Sequence, residues 1–457
     1  MYVTYVLIAS LLLTTQCLAA HYPSDMSKLP ADATVFPSNL ENMRPGQIRD
    51  AAAQGAVALL PVGTLESSED DSPLGASEEA VNEALAKVTA NKKTVIAPPI
   101  WYAPTGYLNG RASDGTFDMP TMAFISYVRD VFNDLRAMGF KRVEIVVLDK
   151  GAAEQSLAYA ACAYILGDYM NKYWDRPDTG KGWWANPETK VMSWETSGIR
   201  LARLRAEPPA VKTADLALPL RLERMRPSEL REAVRRGIPC FVPAGVIENH
   251  GSHNPVGVDA IEVQDPLVDA AKLWPVVVAP TIWYGGTSYA VTGPELGTMN
   301  ISGDAYLSYT LGITEGLVAM GFRHLTYVHV HQAGGAQDTS IALSIQEFRR
   351  HLGGQKSPRN IAIVDHMGNP GGNCDHAGKH ETSWMMYYRK PYVDLSLIRP
   401  NDYMFCWYKG DESNTATYEW GKRMAEESIR NYEKAIKERT IPPMTGRAIH
   451  ELPRRIQ

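Results

Sequence analysis

The chain repeats itself once along its length. Leu40-Glu-Asn-Met-Arg-Pro returns as Leu222-Glu-Arg-Met-Arg-Pro, and Leu60-Pro-Val-Gly-Thr-Leu-Glu66 returns as Val242-Pro-Ala-Gly-Val-Ile-Glu248. Ile100-Trp-Tyr-Ala-Pro-Thr-Gly-Tyr107 reappears as Ile282-Trp-Tyr-Gly-Gly-Thr-Ser-Tyr289, and Ala137-Met-Gly-Phe140 as Ala319-Met-Gly-Phe322. Every matched position lies 182 residues after its counterpart, as Leu222 does after Leu40. A repeat of that length is a whole domain in tandem, not the unit of a solenoid. Trp194-Glu-Thr-Ser197 answers His380-Glu-Thr-Ser383 at a slightly longer offset, and the boundary falls near the stretch Glu207-Pro-Pro-Ala. The expected organisation is a leader over 1–20, a first domain over 21–212 and a second over 213–457.

Within each copy, short apolar runs alternate with helical stretches. In the second copy, Ser228 to Arg236, Val263 to Lys272 and Tyr306 to Met320 read as helices. They lead into the apolar strands that begin at Cys240, Val276 and Leu325. Apolar strands between helices predict α/β domains, each a parallel sheet covered on both faces. In such sheets chemistry collects at the carboxyl ends of the strands, where Glu248, Trp283 and His331 fall. A last helix over Thr415 to Lys437 carries Trp420, Met424, Ile429 and Ile436 on one stripe and reads as a packing helix.

Composition removes several classes of function. A chain of 457 residues with 45% hydrophobic and 21% charged residues is neither disordered, collagen-like nor coiled coil. Its net charge of −5 and unclustered basic residues give no footprint for nucleic acid or a polybasic membrane contact. The apolar run Val6 to Leu13, followed by Ala19-Ala20, suits a secretory leader, although no Lys or Arg precedes it. Export to a periplasmic or secreted location is therefore expected, with no later segment long and apolar enough to span a bilayer. Of the five cysteines, Cys162, Cys240, Cys374 and Cys406 follow the leader, and none has the CxxC spacing of a zinc knuckle.

The second copy carries the chemistry. Glu248-Asn-His-Gly-Ser-His-Asn-Pro-Val-Gly-Val-Asp259 places Glu248, His250, His253 and Asp259 in one loop punctuated by Gly and Pro. Imidazole with carboxylate suits zinc, manganese or iron better than calcium. His331-Gln-Ala-Gly-Gly335 ends a later strand, and Asp375-His-Ala-Gly-Lys-His-Glu-Thr-Ser383 adds His376 and Glu381. Any one of these residues alone is ordinary, a surface histidine or a capping acid. Their gathering at three strand ends is what argues for a site.

These motifs resemble those of the creatininase (creatinine amidohydrolase) family, commonly written PVG-x-LEQHGPHLPLGTD, then His-Gly-Gly, then HAG-x-x-ETS. The resemblance covers about residues 222–440 and implies a three-layer α/β/α sandwich with a parallel sheet. It further implies a two-metal centre that hydrolyses small cyclic or linear amides. Glu248 and His250 would each bind a different cation, Asp259 would bridge the two, and His331 would complete the first shell. Creatininase itself has a Glu two residues after that histidine, where this chain has Ala333, so Glu381 is the candidate for the vacancy. His376 matches the family's proton carrier, which would take the proton of the activated water to the leaving nitrogen. Catalytic roles thus fall to His376 and Glu381. His253, Trp283, Tyr284, Tyr289 and Trp384 are candidates to contact a small amide substrate, the aromatics equally well being core.

The first copy lacks the set. Ser68, Asp71, Ser77 and Asp149 stand opposite His250, His253, Asp259 and His331, with Lys190 near the place of His376 and only Glu66 and Glu195 retained. That copy is expected to be a structural partner, and its acidic run Glu69-Asp-Asp a solvated loop. Family enzymes are homo-oligomers, often hexamers, so three such chains could mimic six subunits. The rival to an amidohydrolase is a binding protein that keeps the fold without turnover, for which the Gln332-Ala333 insertion argues. A small-peptide metallopeptidase of the same family is a third reading.

Overall fold

The structure is a computed structural model. It describes residues 34–67, 71–75, 77–90, 92–105, 115–149, 157–173, 199–205, 216–286, 291–331, 341, 343, 346–348, 350, 360–365, 375–398, 405–406 and 412–439. The expected leader, the boundary stretch at Glu207, Ser68, Lys190, Glu195, Tyr289, Ala333 and Cys374 lie outside the described residues.

Each half contains a five-stranded sheet in which every pairing is parallel. In the first half the strands are β1 (Ser38–Asn39), β2 (Val57–Gly63), β3 (Thr94–Ile96), β4 (Arg142–Asp149) and β5 (Ile199–Arg205), in the order β1-β3-β2-β4-β5. In the second they are β6 (Leu220–Arg221), β7 (Cys240–Ala244), β8 (Val277–Val278), β9 (His324–His329) and β10 (Asn360–Asp365). Their order, β6-β8-β7-β9-β10, is the same topology. The helices of the first half are α1 (Pro45–Ala53), α2 (Glu78–Thr89), α3 (Thr121–Ala137) and α4 (Leu157–Tyr173). The second half has α5 (Pro227–Arg235), α6 (Val258–Ala271), α7 (Gly303–Ala319), α8 (Lys379–Tyr388) and α9 (Tyr418–Arg439). Both halves are α/β, and the predicted helices appear within a few residues of their expected bounds. The strand at Val276 is shorter than its apolar run, because pairing with β7 stops after Val278.

The sequence pattern explains the burial. All five residues of β7 are buried, as a central parallel strand covered on both faces requires. On α9, Met424 is buried in the main core, while Ile436, with Ile429 packed beside its cluster, is buried among strand residues such as Phe241 and Val328, so that helix packs by its apolar stripe. The centre of each sheet is where chain order reverses: β7 has β8 on one side and β9 on the other. That crevice, at the carboxyl end of β7, is where open α/β sheets hold their ligands.

The halves meet as two subunits of a symmetric dimer would, with a set of contacts answered by counterparts 182 residues on. Tyr102 Oη donates to the Pro280 carbonyl at 2.7 Å, and Tyr284 Oη donates to the Pro98 carbonyl at 2.6 Å. The Leu74 and Gly75 amides donate to the carbonyls of Met225 (2.7 Å) and Glu223 (2.9 Å), as Val256 and Gly257 do to Met43 (2.9 Å) and Glu41 (3.0 Å). Tyr127 stacks on its own counterpart, Tyr309, with ring centroids 3.7 Å apart and 7° between planes, where α3 packs on α7. A self-complementary patch of this kind is the mark of an isologous interface, here closed within one chain.

Glu41 lies in this seam, and its carboxyl is raised to about 7, chiefly by burial, although its backbone hydrogen bond and Arg389 pull the other way. A folded-state value above the ordinary 4.5 means the folded chain binds this proton more tightly. The associated stability is present below pH 4.5 and is lost as pH rises through about 7. Glu41→Gln is expected to flatten that loss in urea unfolding midpoints taken between pH 5 and 8. An unchanged pH slope would contradict the assignment.

Candidate metal centre

Beyond Ala244 the chain leaves the sheet and runs through Glu248 and His250 to α6, whose first turn carries Asp259. Two contacts shape this loop from within. The Glu248 amide donates to the Val256 carbonyl at 2.9 Å, closing the neck, and Gly251 takes φ 77°, a left-handed turn that favours glycine. Asn249, fully buried, pins the centre: its amide donates to Thr298 Oγ1, its side-chain nitrogen to the Leu296 carbonyl, and its Oδ1 accepts from the Gly251 amide, each at 2.9 Å. His331 follows the end of β9. Glu381 arrives from the other side, in the first turn of α8, where Asp375, three residues before the N-cap Gly378, accepts from the His380 amide at 2.8 Å. Ala377, held at φ 55°, donates its amide to Glu381 Oε2 in a short hydrogen bond.

These elements bring five side chains to one point. His331 Nδ1 lies 3.2 Å from Glu248 Oε2 and 3.5 Å from Asp259 Oδ2. His250 Nε2 lies 3.5 Å from Asp259 Oδ1 and 3.4 Å from Glu381 Oε2. The ligand atoms of Glu248, Asp259 and His331 all lie within 4.8 Å of one another, and so do those of His250, Asp259 and Glu381. Asp259 therefore belongs to both trios and turns one oxygen to each. His376 joins a third grouping with Glu248 and His250. Its Nε2 lies 2.9 Å from the Asn249 carbonyl, which fixes that nitrogen as the donor and leaves Nδ1, 3.8 Å from Glu248 Oε2, facing the cluster.

The donor set fits divalent cations. Three buried carboxylates at this spacing cost several kcal/mol each in desolvation unless countercharge joins them, and Glu248 Oε1 and His250 Nε2 are buried without a hydrogen bond. Without cations the histidines supply the charge. Burial works against it, yet Glu248 and Asp259 raise His331 to about 10, and Glu381 and Asp259 raise His250 well above its ordinary value. The same two imidazoles pull Asp259 below the usual carboxylate range despite its burial. Because metal binds neutral imidazole, filling both positions at pH 7 should release about two protons per chain, one from each histidine. Titration calorimetry in buffers of different ionisation enthalpy reads that number; zero would contradict it.

Some residues expected at the site sit elsewhere or do other work. His253 is fully buried, its Nε2 3.0 Å from Thr382 Oγ1, and burial with the nearby His250 lowers it to about 4. It ties the loop to α8 and faces no opening. Tyr284 commits its hydroxyl to Pro98 across the seam, Trp384 is wholly buried against Tyr388, and Trp283 lies in the main core cluster. All three are buried, and Tyr284 serves the seam between the halves. Residues that spacing did not single out matter more: Asn249, Asp375 and Thr382 hold the ligands in place. Buried Glu262, one turn beyond Asp259, keeps its proton well above the usual range through burial and the neighbouring carboxylates of Glu381 and Asp259.

The first half has no such gathering among the described residues, and no histidine occurs between His21 and His250. Ser77, at the place of Asp259, caps α2 by accepting from the Ala80 amide at 3.2 Å. Asp71 corrects the expectation of a solvated loop: it accepts from the Ser228 amide at 2.8 Å and from the Ser228 hydroxyl, capping α5 of the other half. The lost site has become a joint.

With the geometry established, comparison with known proteins decides the family. The chain matches the family described as creatininase, creatinine amidohydrolase, in two blocks, residues 41–194 and 223–436. The chain belongs to the creatininase family. The two blocks are the tandem copies, the first degenerate at its ligand positions. The 3-dehydro-scyllo-inosose hydrolase of Thermotoga maritima is 27% identical to this chain over 128 residues, 28% of this chain and 40% of that protein. The match thus spans less than half of that relative's length. A crystal structure of creatinine amidohydrolase aligns at 20% identity over 49% of this chain and 98% of its own, with a TM-score of 0.42. A zinc–zinc form of a creatininase variant aligns at 19% over 46% and 96%, with a TM-score of 0.40. A manganese form aligns at 21% over 46% and 96%, with a TM-score of 0.38. Among the described residues, no helix is long and apolar enough to cross a membrane.

Proposed function

We propose that the second half is a metal-dependent amidohydrolase that opens a small cyclic or linear amide. One observation carries the reading: the two oxygens of Asp259 face two separate ligand trios, which is how a carboxylate bridges a pair of ions. Glu248, Asp259 and His331 would hold one cation, and His250, Asp259 and Glu381 the other. Two such cations would lower the pKa of water and polarise a carbonyl oxygen. The imidazole and carboxylate donors suit zinc, manganese or iron, and solved creatininases include zinc–zinc and manganese forms.

The chain's own part is positioning and proton traffic. Glu381 supplies the carboxylate that Ala333 does not. Burial keeps His376 neutral, so Nδ1 can accept a proton at the cluster and return it to the leaving nitrogen. Asn249 keeps that nitrogen aimed inward. Among the described residues, the first half supplies no ligand.

Hydrolysis of lactams, cyclic imides, formamides and small peptides by the zinc- or manganese-loaded protein tests the assignment. Turnover of at least one, abolished by chelation and restored by metal, is the expected result. A fully metal-loaded protein that cleaves none would favour the binding-protein reading.

A further inference from the structure

We propose that the degenerate half is kept because its segment Glu41–Met43 is a positioning element for the cation site of the other half, an inference that rests on the metal reading above. The neck of the metal loop is gripped on two sides. Inside, the Glu248 amide binds the Val256 carbonyl. Outside, the amides of Val256 and Gly257 donate to the carbonyls of Met43 and Glu41 at 2.9 and 3.0 Å. Asp259, the shared acid, follows two residues later. Arg44 adds a third hold, donating to the Tyr392 carbonyl at 2.9 Å, and Asp394 of that same segment donates its amide to the His253 carbonyl at 3.0 Å.

Gly257 shows that the fit is tight. Its φ of −91° and ψ of 14° suit any residue, so its backbone makes no demand for glycine. A Cβ there would lie 2.6 Å from the Glu41 carbonyl oxygen and 3.0 Å from its Cα. The opposing atoms are backbone of the first half and cannot swing aside, so a side chain at this position must push the two apart.

The internal symmetry supplies a counterpart contact with a milder clash. Gly75 makes the same contact with Glu223, and a Cβ there would lie 3.0 Å from the Glu223 carbonyl oxygen. Behind Gly75 stands Ser77, a helix cap; behind Gly257 stands Asp259. Loosening either contact weakens the seam, but only one of them lies next to ligands.

Zinc affinity of the full-length wild type, Gly257→Ala and Gly75→Ala, measured by competition with a chromophoric chelator, tests this. Gly257→Ala is expected to weaken zinc binding about tenfold or more, the scale on which supporting contacts act on metal sites, while Gly75→Ala stays within about twofold. Equal losses in both variants, or wild-type affinity in Gly257→Ala, would overturn the proposal. Wild type that takes up no zinc would instead overturn the metal reading, and the bracing with it. If Gly257→Ala does not fold, the wild type alone decides. Binding and bracing are linked reciprocally, so zinc should slow hydrogen exchange at the Val256 and Gly257 amides and leave Leu74 and Gly75 unchanged. Equal protection of both pairs, or none, would refute it.

Discussion

Asp259→Ala should strip both cations from the chain and lower turnover by roughly a thousandfold or more. The reasoning is geometric. Of the two trios taken as cation positions, Glu248 and Glu381 each serve one, whereas Asp259 serves both, with Oδ2 3.5 Å from His331 Nδ1 and Oδ1 3.5 Å from His250 Nε2. Losing the shared acid removes a ligand from each position and leaves the two imidazoles facing only Glu248 and Glu381. Lewis-acid stabilisation contributes several kcal/mol to the transition state, and about 4 kcal/mol corresponds to a thousandfold. Elemental analysis of the purified variant reads metal content directly. Asp259→Asn, closer in shape, guards against a folding defect and should show the same loss, because a neutral amide is a poor bridge between cations. Full metal content in both variants would refute the shared role.

His376→Gln should separate chemistry from metal binding. Rate losses of about 10²–10⁴-fold are typical when a positioned acid–base group is removed, and metal content should stay at the wild-type value. The pH dependence gives the stronger readout. Burial pushes the His376 imidazole below its ordinary value. The wild-type rate should therefore fall on the acid side, as protonation takes away the acceptor, and the variant should lose that limb of the profile. A variant with wild-type kcat, or an unchanged acid limb at reduced rate, would assign the proton transfer elsewhere.

Much of the architecture was legible in the chain itself, for reasons that can be located. Apolar runs such as Cys240–Ala244 are buried on both faces, so their strand character shows without knowledge of neighbours. The 182-residue offset is visible because the seam preserves pairs, Tyr102 with Tyr284 and Tyr127 with Tyr309, which answer each other across it. Spacing also marked the loop from Glu248 to Asp259, since its ligands are local in sequence. What spacing does not carry is which distant loop folds over which. Asn249 and Thr382 act through hydrogen bonds to residues as far as 129 positions away, and nothing in their own surroundings announces this. Tyr284 shows a related limit. A tryptophan or tyrosine just beyond a strand end suits a pocket wall and a domain seam equally, and here Tyr284 went to the seam. Asp71 shows the same principle in reverse, an acid in a charged run drawn into a cap on the other half.

The central claim is that two cations share Asp259 and that the first half binds none. Anomalous diffraction from zinc-loaded crystals of the full chain tests it most directly. The account predicts two peaks about 3.5–4 Å apart, the separation usual for paired-metal sites, one beside Glu248 and His331, the other beside His250 and Glu381, with none near Ser77. A single peak, or a pair that leaves Asp259 uncoordinated, would contradict it.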